Sequence, residues 1–166
     1  MDSGRIEHDV VIREMRLDEK AVLPEFLYEA IFVPEGMEAP DRTIVEQPEL
    51  SLYYEGFGDG PADRCIVAEV SGRIVGAVWS RIMRDYGHID DETPSLAIAL
   101  YKEYRGQGIG RRLMEEILGV LRDMGYNRVS LAVQTANYAV KLYTSVGFGI
   151  VDENEEEYIM VRELED

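Results

Sequence analysis

Residues 95 to 124 read Ser95-Leu-Ala-Ile-Ala-Leu-Tyr-Lys-Glu-Tyr-Arg-Gly-Gln-Gly-Ile-Gly-Arg-Arg-Leu-Met114, continuing Glu115-Glu-Ile-Leu-Gly-Val-Leu-Arg-Asp-Met124. Two periodicities meet inside this stretch. Leu96, Ile98 and Leu100 alternate with Ala97, Ala99 and Tyr101, the pattern of a strand buried on at least one face, with the small alanines leaving room on the other. From Ile109 the period lengthens: Ile109, Leu113, Ile117, Leu121 and Met124 recur every four or three residues and make one apolar stripe on a helix. Between strand and helix stand Gly106, Gly108 and Gly110. Glycines at a helix N-terminus let the backbone turn tightly and approach a ligand. The first-turn N–H groups lack intrahelical partners and carry the positive end of the helix dipole, which makes a site for phosphate.

Charge agrees with that reading. The chain carries a formal net charge of -16, yet residues 102 to 112 hold Lys102, Arg105, Arg111 and Arg112 against Glu103 alone. The dinucleotide fingerprint needs a third glycine where Arg111 stands, and a Walker loop needs Gly-Lys-Ser/Thr where the chain has Gly110-Arg111-Arg112, so neither nucleotide motif is met.

Arg105-Gly-Gln-Gly-Ile-Gly110 does resemble the Arg/Gln-x-x-Gly-x-Gly/Ala loop of the GNAT acetyltransferase superfamily. A second stretch extends the resemblance. Val129, Leu131 and Val133 alternate as a strand, and Asn137-Tyr-Ala-Val-Lys-Leu-Tyr143-Thr-Ser-Val-Gly147-Phe148 is similar to the family's Asn-x-Ala-x-x-Leu-Tyr-x-x-x-Gly-Phe signature. Read from the residues alone, Asn137 is a good N-cap, Ala139 to Val146 supply a short helix, and Gly147 suits its C-terminal stop. The matched region runs from about residue 65 to 162, and the N-terminal third agrees only in its order of elements.

The resemblance implies an α/β fold, a twisted, mixed and mostly antiparallel sheet flanked by helices on both faces, as one domain over residues 1 to 166. It implies acetyl-CoA as cosubstrate, with no metal. Backbone groups of Ile98, Ala99 and Leu100 would meet the pantetheine arm. Arg105, Gly106, Gln107, Gly108, Ile109, Gly110 and Arg111 would hold the pyrophosphate, and Asn137 and Tyr143 complete the cofactor-binding set. Tyr143 matches the family tyrosine that protonates the departing thiolate. The base is open. Relatives that carry Glu on the strand before the asparagine have it where this chain has Ala132, and those with Thr-Pro-Glu have it where Thr93-Pro94-Ser95 stands. His88, Asp90, Asp91 and Glu92 are the remaining candidates, alongside an ordered water; His88 has the intrinsic pKa that suits base work near neutrality. The expected reaction is acetyl transfer to a primary amine of a small molecule or a protein N-terminus. A CoA-binding sensor without catalysis is the alternative, and a nucleotide-binding protein stands third.

Composition bounds the rest. At 166 residues and 46% hydrophobic content the chain has the makeup of a single globular domain. No apolar run approaches a membrane span, and Met1 to Asp9 lack the basic and apolar regions of a signal peptide. Cys65 is the one cysteine, inside a strand-like run; it excludes an intramolecular disulfide and suggests the cytoplasm. The acidity argues against nucleic-acid binding and for a cationic amine acceptor. Residues 152 to 166 hold eight acids and one base, read as a solvated surface. A homodimer is left open.

Along the chain, residues 10 to 15 read as a strand, Glu19 to Tyr28 as a helix capped by Asp18, and Ile31 to Pro40 as an apolar loop that packs on the core or walls the acceptor pocket. Thr43 to Leu52 reads as a helix interrupted by Pro48. Cys65 to Val70 and Ile74 to Arg84 form strands joined at Ser71-Gly72, and Gly76 marks a bulge or close approach. Tyr86 to Pro94 is a polar link, and Phe148 to Val151 with Tyr158 to Arg162 is a final strand pair.

Overall fold

A computed structural model describes residues 9–164. The first eight residues and the last two of the acidic run lie outside the described residues. Among the described residues, strands β1 (Val10–Glu14), β2 (Arg64–Val70), β3 (Arg73–Arg81), β4 (Ser95–Leu100), β5 (Arg128–Gln134), β6 (Gly149–Glu153) and β7 (Glu157–Glu163) form one sheet in the order β1-β2-β3-β4-β5-β7-β6. Every neighbouring pair is antiparallel except β4 with β5. The helices are α1 (Val22–Ala30), α2 (Pro48–Ser51), α3 (Ile109–Asp123) and α4 (Ala139–Ser145).

The two-residue period of β4 sorts the core into two layers. Leu96, Ile98 and Leu100 pack with Leu113, Met114 and Ile117 of α3, and Tyr143 of α4 belongs to the same cluster. Ala97 and Ala99 face the other way, toward Trp79 of β3 and Leu23 and Phe26 of α1. Helices therefore cover both faces, as the fold resemblance implied. The stripe of α3 holds at Ile109, Leu113, Ile117 and Leu121, all essentially sealed from solvent. Met124 is a correction: it lies past the last helical residue and is exposed, while Met114 and Leu118 widen the stripe in its place.

Local chemistry moved some boundaries. α1 starts at Val22 with no side-chain cap, because the preceding turn, Leu17–Glu19, is closed by Glu19 accepting the Arg16 N–H at 2.7 Å; Asp18 does not cap it. The helix over Thr43 to Leu52 is two short pieces, a 3-10 turn Arg42–Glu46 and α2, with Pro48 at the first turn of the second. β3 ends at Arg81, three residues early. There Arg81 pairs with the buried Asp63 at 3.0 Å and donates to the carbonyls of Leu52 and Glu55, tying the glycine-rich turn to the sheet. The Ser71-Gly72 hairpin holds, both residues adopting positive φ. Gly76 is a close approach: a Cβ there would lie 2.2 Å from Leu100. A register shift between Ala68 and Glu69 sits beside it.

Candidate active site

The site is built by two strands that part company. β4 and β5 are paired in register only at Ser95 and Ser130. The Ser130 N–H donates to Pro94 O at 2.9 Å, so even-numbered residues of β4 turn their backbone groups toward β5. The Tyr101 N–H donates to Val75 O at 3.0 Å, so odd-numbered residues turn theirs toward β3. By this alternation the backbone groups of Ile98 and Leu100 point into the gap where β5 has drawn away. Ala97, Ile98 and Ala132 are only half-buried although they lie mid-sheet. Backbone groups turned into such a gap need partners from elsewhere, and an extended amide-bearing arm supplies them. The Leu100 carbonyl has one already, accepting from Arg105 Nε at 3.0 Å.

At the open end lies the glycine loop. Gly106 and Gly108 have φ of 74° and 86°, in the left-handed region, and a Cβ at either would meet no atom within 4 Å. Their backbone thus borders open space. The α3 ladder begins with the Arg112 N–H on Gly108 O, leaving the N–H groups of Ile109, Gly110 and Arg111 without intrahelical partners. Gly110 serves packing instead, its missing Cβ leaving room for Leu142 and Leu100. An anionic diphosphate fits this cradle of amides.

The cations beside it are less uniform than their sequence spacing suggested. Arg105 turns inward, donating to Leu100 O and to Glu29 O at 3.0 and 3.2 Å, so it braces the loop against α1. The Gln107 side chain donates to Glu103 O. Arg111 pairs with Glu115 at 2.9 Å and donates to Ser145. A cavity of about 500 Å³ lies on the outer side of α3 and α4, lined among others by Arg111, Arg122, Gly147 and Arg162 but by no residue of the gap.

Tyr143 belongs to the α3 and α4 layer. Its ring meets Phe148 edge-on, centroids 6.2 Å apart. Burial pushes the phenol up to about 12. Among the described residues its hydroxyl has no hydrogen-bond partner, and no sealed polar side-chain atom lacks one, so the hydroxyl opens onto accessible space. Asn137 is not the N-cap of the helix that carries Tyr143: Tyr138 holds that position, and Asn137 accepts the Ala139 N–H at 2.9 Å from one residue earlier; Gly147, with φ of 100°, follows the C-cap Val146.

A family model, the acetyltransferase (GNAT) family, matches residues 28–148. The chain belongs to the GNAT acetyltransferases. It is 35% identical over 109 residues to mouse N-acetyltransferase 8, covering 65% of this chain and 44% of that protein. It is 31% identical over 118 residues to pig thialysine N-epsilon-acetyltransferase, covering 62% and 65%. The chain thus spans less than two thirds of the length of these relatives. Among solved structures, its fold is similar to that of the ribosomal-protein-S18-alanine N-acetyltransferase of Escherichia coli, with TM-score 0.66, 17% identity and 95% of each chain covered. It is also similar to the PaiA N-acetyltransferase of Thermoplasma acidophilum in complex with coenzyme A, with TM-score 0.69, 19% identity and 93% and 99% covered.

In this GNAT chain the four sequence candidates for the base gather at the closed end of the β4–β5 pair. Asp90 accepts from Thr93 and from Arg128 at 2.7 and 2.8 Å, bonds that hold its carboxyl down at about 2, a poor proton acceptor. Arg128 stands two residues before Ser130, on the side away from the gap. The His88 Nδ1 donates to Met83 O at 2.9 Å and its Nε2 lies 3.4 Å from Asp91, which also faces Arg84; Glu92 is exposed. Sequence reasoning passed over three other polar residues. Asp85 accepts from the Tyr53 hydroxyl at 2.8 Å and from the Ser95 hydroxyl at 2.9 Å, and burial raises its carboxyl. Tyr53 is set in place by the buried Trp79, whose Nε1 donates to Tyr53 O at 3.0 Å. Glu157 opens β7 and is raised by burial and by the charges of Glu156 and Asp85. Their one sequence signal was proximity to strand ends. Among the described residues, no group of three His, Cys, Asp or Glu side chains is placed to share a metal, and no helix is long and apolar enough to cross a membrane.

Proposed function

We propose that the chain transfers the acetyl group of acetyl-CoA to a primary amine. The observation that carries this reading is the gap between β4 and β5, with backbone groups of Ile98 and Leu100 turned into it and a cradle of free amides at its end. Ile98 to Leu100 would hold the pantetheine arm, and Gly106 to Arg111 the diphosphate. Bound there, acetyl-CoA supplies an activated acyl group on a thiol leaving group. Tyr143 acts as the acid. Its phenol stays protonated throughout the neutral range because burial raises it, and its hydroxyl has no partner to give up among the described residues.

The acceptor is a cation. A chain of net charge -16 concentrates amines near its surface, whereas its local excess of positive charge lies beside the glycine loop. The names of the similar proteins, which include a thialysine N-epsilon-acetyltransferase and an S18-alanine N-acetyltransferase, span small amines and a protein N-terminus. We place the protein in the cytoplasm, where its one buried thiol, Cys65, has no disulfide to form. An amine panel assayed for thiol release, with mass detection of the product, tests the reading. Thialysine, spermidine, lysine and a basic peptide with a free α-amine form the panel. Release with a cationic acceptor is expected. Tight CoA binding without release from any amine would leave a CoA-binding sensor instead.

A further inference from the structure

The face of the gap opposite Tyr143 carries its own constellation. The pairs Ser95 with Ser130, Ala132 with Ile159 and Gln134 with Glu157 place these side chains on one face of the sheet, together with Ala97 and Ala99. On that face Ser95 and Ser130 are sealed, bonded to Asp85 and Gly87, whereas Ala97 and Ala132 are half-open although they lie mid-sheet, which marks a hollow above them where the strands part. Asp85 and Tyr53 both lie within electrostatic reach of Glu157. Asp85 is fixed by two hydroxyl donors, whereas the Glu157 carboxylate has no hydrogen bond or ion pair among the described residues. Only its backbone is engaged, the N–H donating to Asn154 Oδ1 at 2.7 Å.

We propose that Glu157 removes the proton from the acceptor amine, with Asp85 as the anchored anion that positions the amine beside it, in the hollow over Ala97 and Ala132. This rests on the acetyltransferase reading above. A cationic amine entering between two carboxylates relieves their mutual repulsion, which selects an ammonium over a neutral group. Glu157 takes one proton from the ammonium nitrogen. The nitrogen lone pair forms the new bond to the acetyl carbonyl carbon, the carbon–sulfur bond breaks with its electron pair going to sulfur, and sulfur takes the Tyr143 proton. The nitrogen, now cationic, gives its second proton through water to the Tyr143 phenolate, which leaves a neutral amide, and Glu157 releases its proton to solvent. Base and acid then work from opposite faces of the sheet, each on its own side of the reacting carbon. The groups facing Glu157 are Asp85 and Tyr53 across the hollow, Gln134 on β5, and Glu156 and Asn154 in the turn before β7; among the described residues no cation pairs with it. Burial, followed by the charges of Glu156 and Asp85, raises its carboxyl, the direction that makes it a better proton acceptor.

The test uses E157Q, E157D and D85N with the best acceptor of the panel, together with a readout independent of turnover, the pH titration of side-chain carboxyl signals by carbon NMR in the protein without cosubstrate. E157Q should lower kcat/KM about a hundredfold to ten-thousandfold while leaving acetyl-CoA affinity unchanged, and E157D should recover part of it. Removing one of two repelling carboxylates should leave the melting temperature at neutral pH equal or higher, which a structural glutamate would not do. A carboxyl titrating above the ordinary range should vanish in E157Q. In D85N it should shift downward, and the acid limb of the kcat/KM profile should move to lower pH with it. If the wild type acetylates an amine and E157Q is impaired less than threefold across the pH range, this assignment fails and the acetyltransferase reading stands. If the wild type acetylates nothing, both fall. A Glu157 carboxyl that titrates in the ordinary range and ignores D85N also overturns the proposal.

Discussion

Ser95 and Ser130 face each other at 3.5 Å, hydroxyl to hydroxyl, at the single registered pair that joins β4 to β5. Each is held from outside the sheet as well, Ser95 donating to Asp85 and Ser130 donating to Gly87 O at 2.7 Å. The pair is the pin from which the strands diverge, and the loop before β4 is fastened across it. Gly87 fits there because a Cβ would lie 3.1 Å from Ala132 N.

Ser130→Ala removes the donor and leaves the Gly87 carbonyl in a sealed place without a partner. The cost expected is about 1–3 kcal/mol, read as a lower urea midpoint with unchanged slope. Because the pin sets the mouth of the gap, affinity for acetyl-CoA should fall as well. A variant as stable as the wild type would mean that water replaces the serine there.

Gly108 separates two effects that a single bulky substitution confounds. Its φ of 86° means that Gly108→Val carries backbone strain of about 1–2 kcal/mol before any ligand is present. Asparagine tolerates that conformation better, and the space around a Cβ is open. Gly108→Asn should therefore remain close to wild-type stability while losing acetyl-CoA affinity tenfold or more by calorimetry. Unchanged affinity would remove the loop from the diphosphate site. Added salt should weaken binding in the wild type, since the ligand is anionic.

How much of this was legible beforehand follows from where the physics is local. The strand, glycine loop and helix from Ser95 to Asp123 could be read because period two gives way to period near four within one stretch. Gly147 could be read because a helix stop acts over a few residues, and Asn137 fell one residue short of the cap, which Tyr138 holds. The parting of β4 from β5 has no local signature, since it is a relation between two strands separated in sequence by a whole helix. Asp85 stood at the edge of a polar link, and Glu157 inside an acidic run that reads as solvated surface. The sheet register, which pairs Glu157 with Gln134, is what puts it on the face of Ala132. Arg105 looked like a phosphate ligand for its charge, but the nearby Leu100 and Glu29 carbonyls claim it first.

Acid should weaken the fold through Glu19. Two hydrogen bonds from Arg13, at 2.9 and 2.8 Å, and the Arg16 N–H lower its carboxyl from 4.5 to about 2. A carboxyl lowered in the fold contributes stability above its unfolded value, and that contribution is lost as pH falls from about 4.5 toward 2. The stability gap between wild type and Glu19→Gln should thus be full at pH 6 and close progressively below pH 4.5 in urea titrations. A gap of constant size would show that the glutamate acts through shape alone.

Tyr143→Phe tests whether the phenol acts in the chemistry or only packs. Phenylalanine retains the ring volume against Phe148 and removes only the hydroxyl, which has no partner among the described residues and so leaves none orphaned. Melting temperature and acetyl-CoA affinity should stay nearly unchanged. Turnover should drop about tenfold to a thousandfold, the smaller loss applying if water protonates the thiolate instead. Because burial holds the phenol up at about 12, the basic limb of the wild-type rate profile should show no ionisation of this group in the neutral to mildly alkaline range. The loss should shrink with acyl donors whose thiols are more acidic, since a better leaving group needs less help from a proton. If chemistry is rate-limiting and turnover is nonetheless unchanged, Tyr143 is a packing residue, and the proton on sulfur comes from solvent.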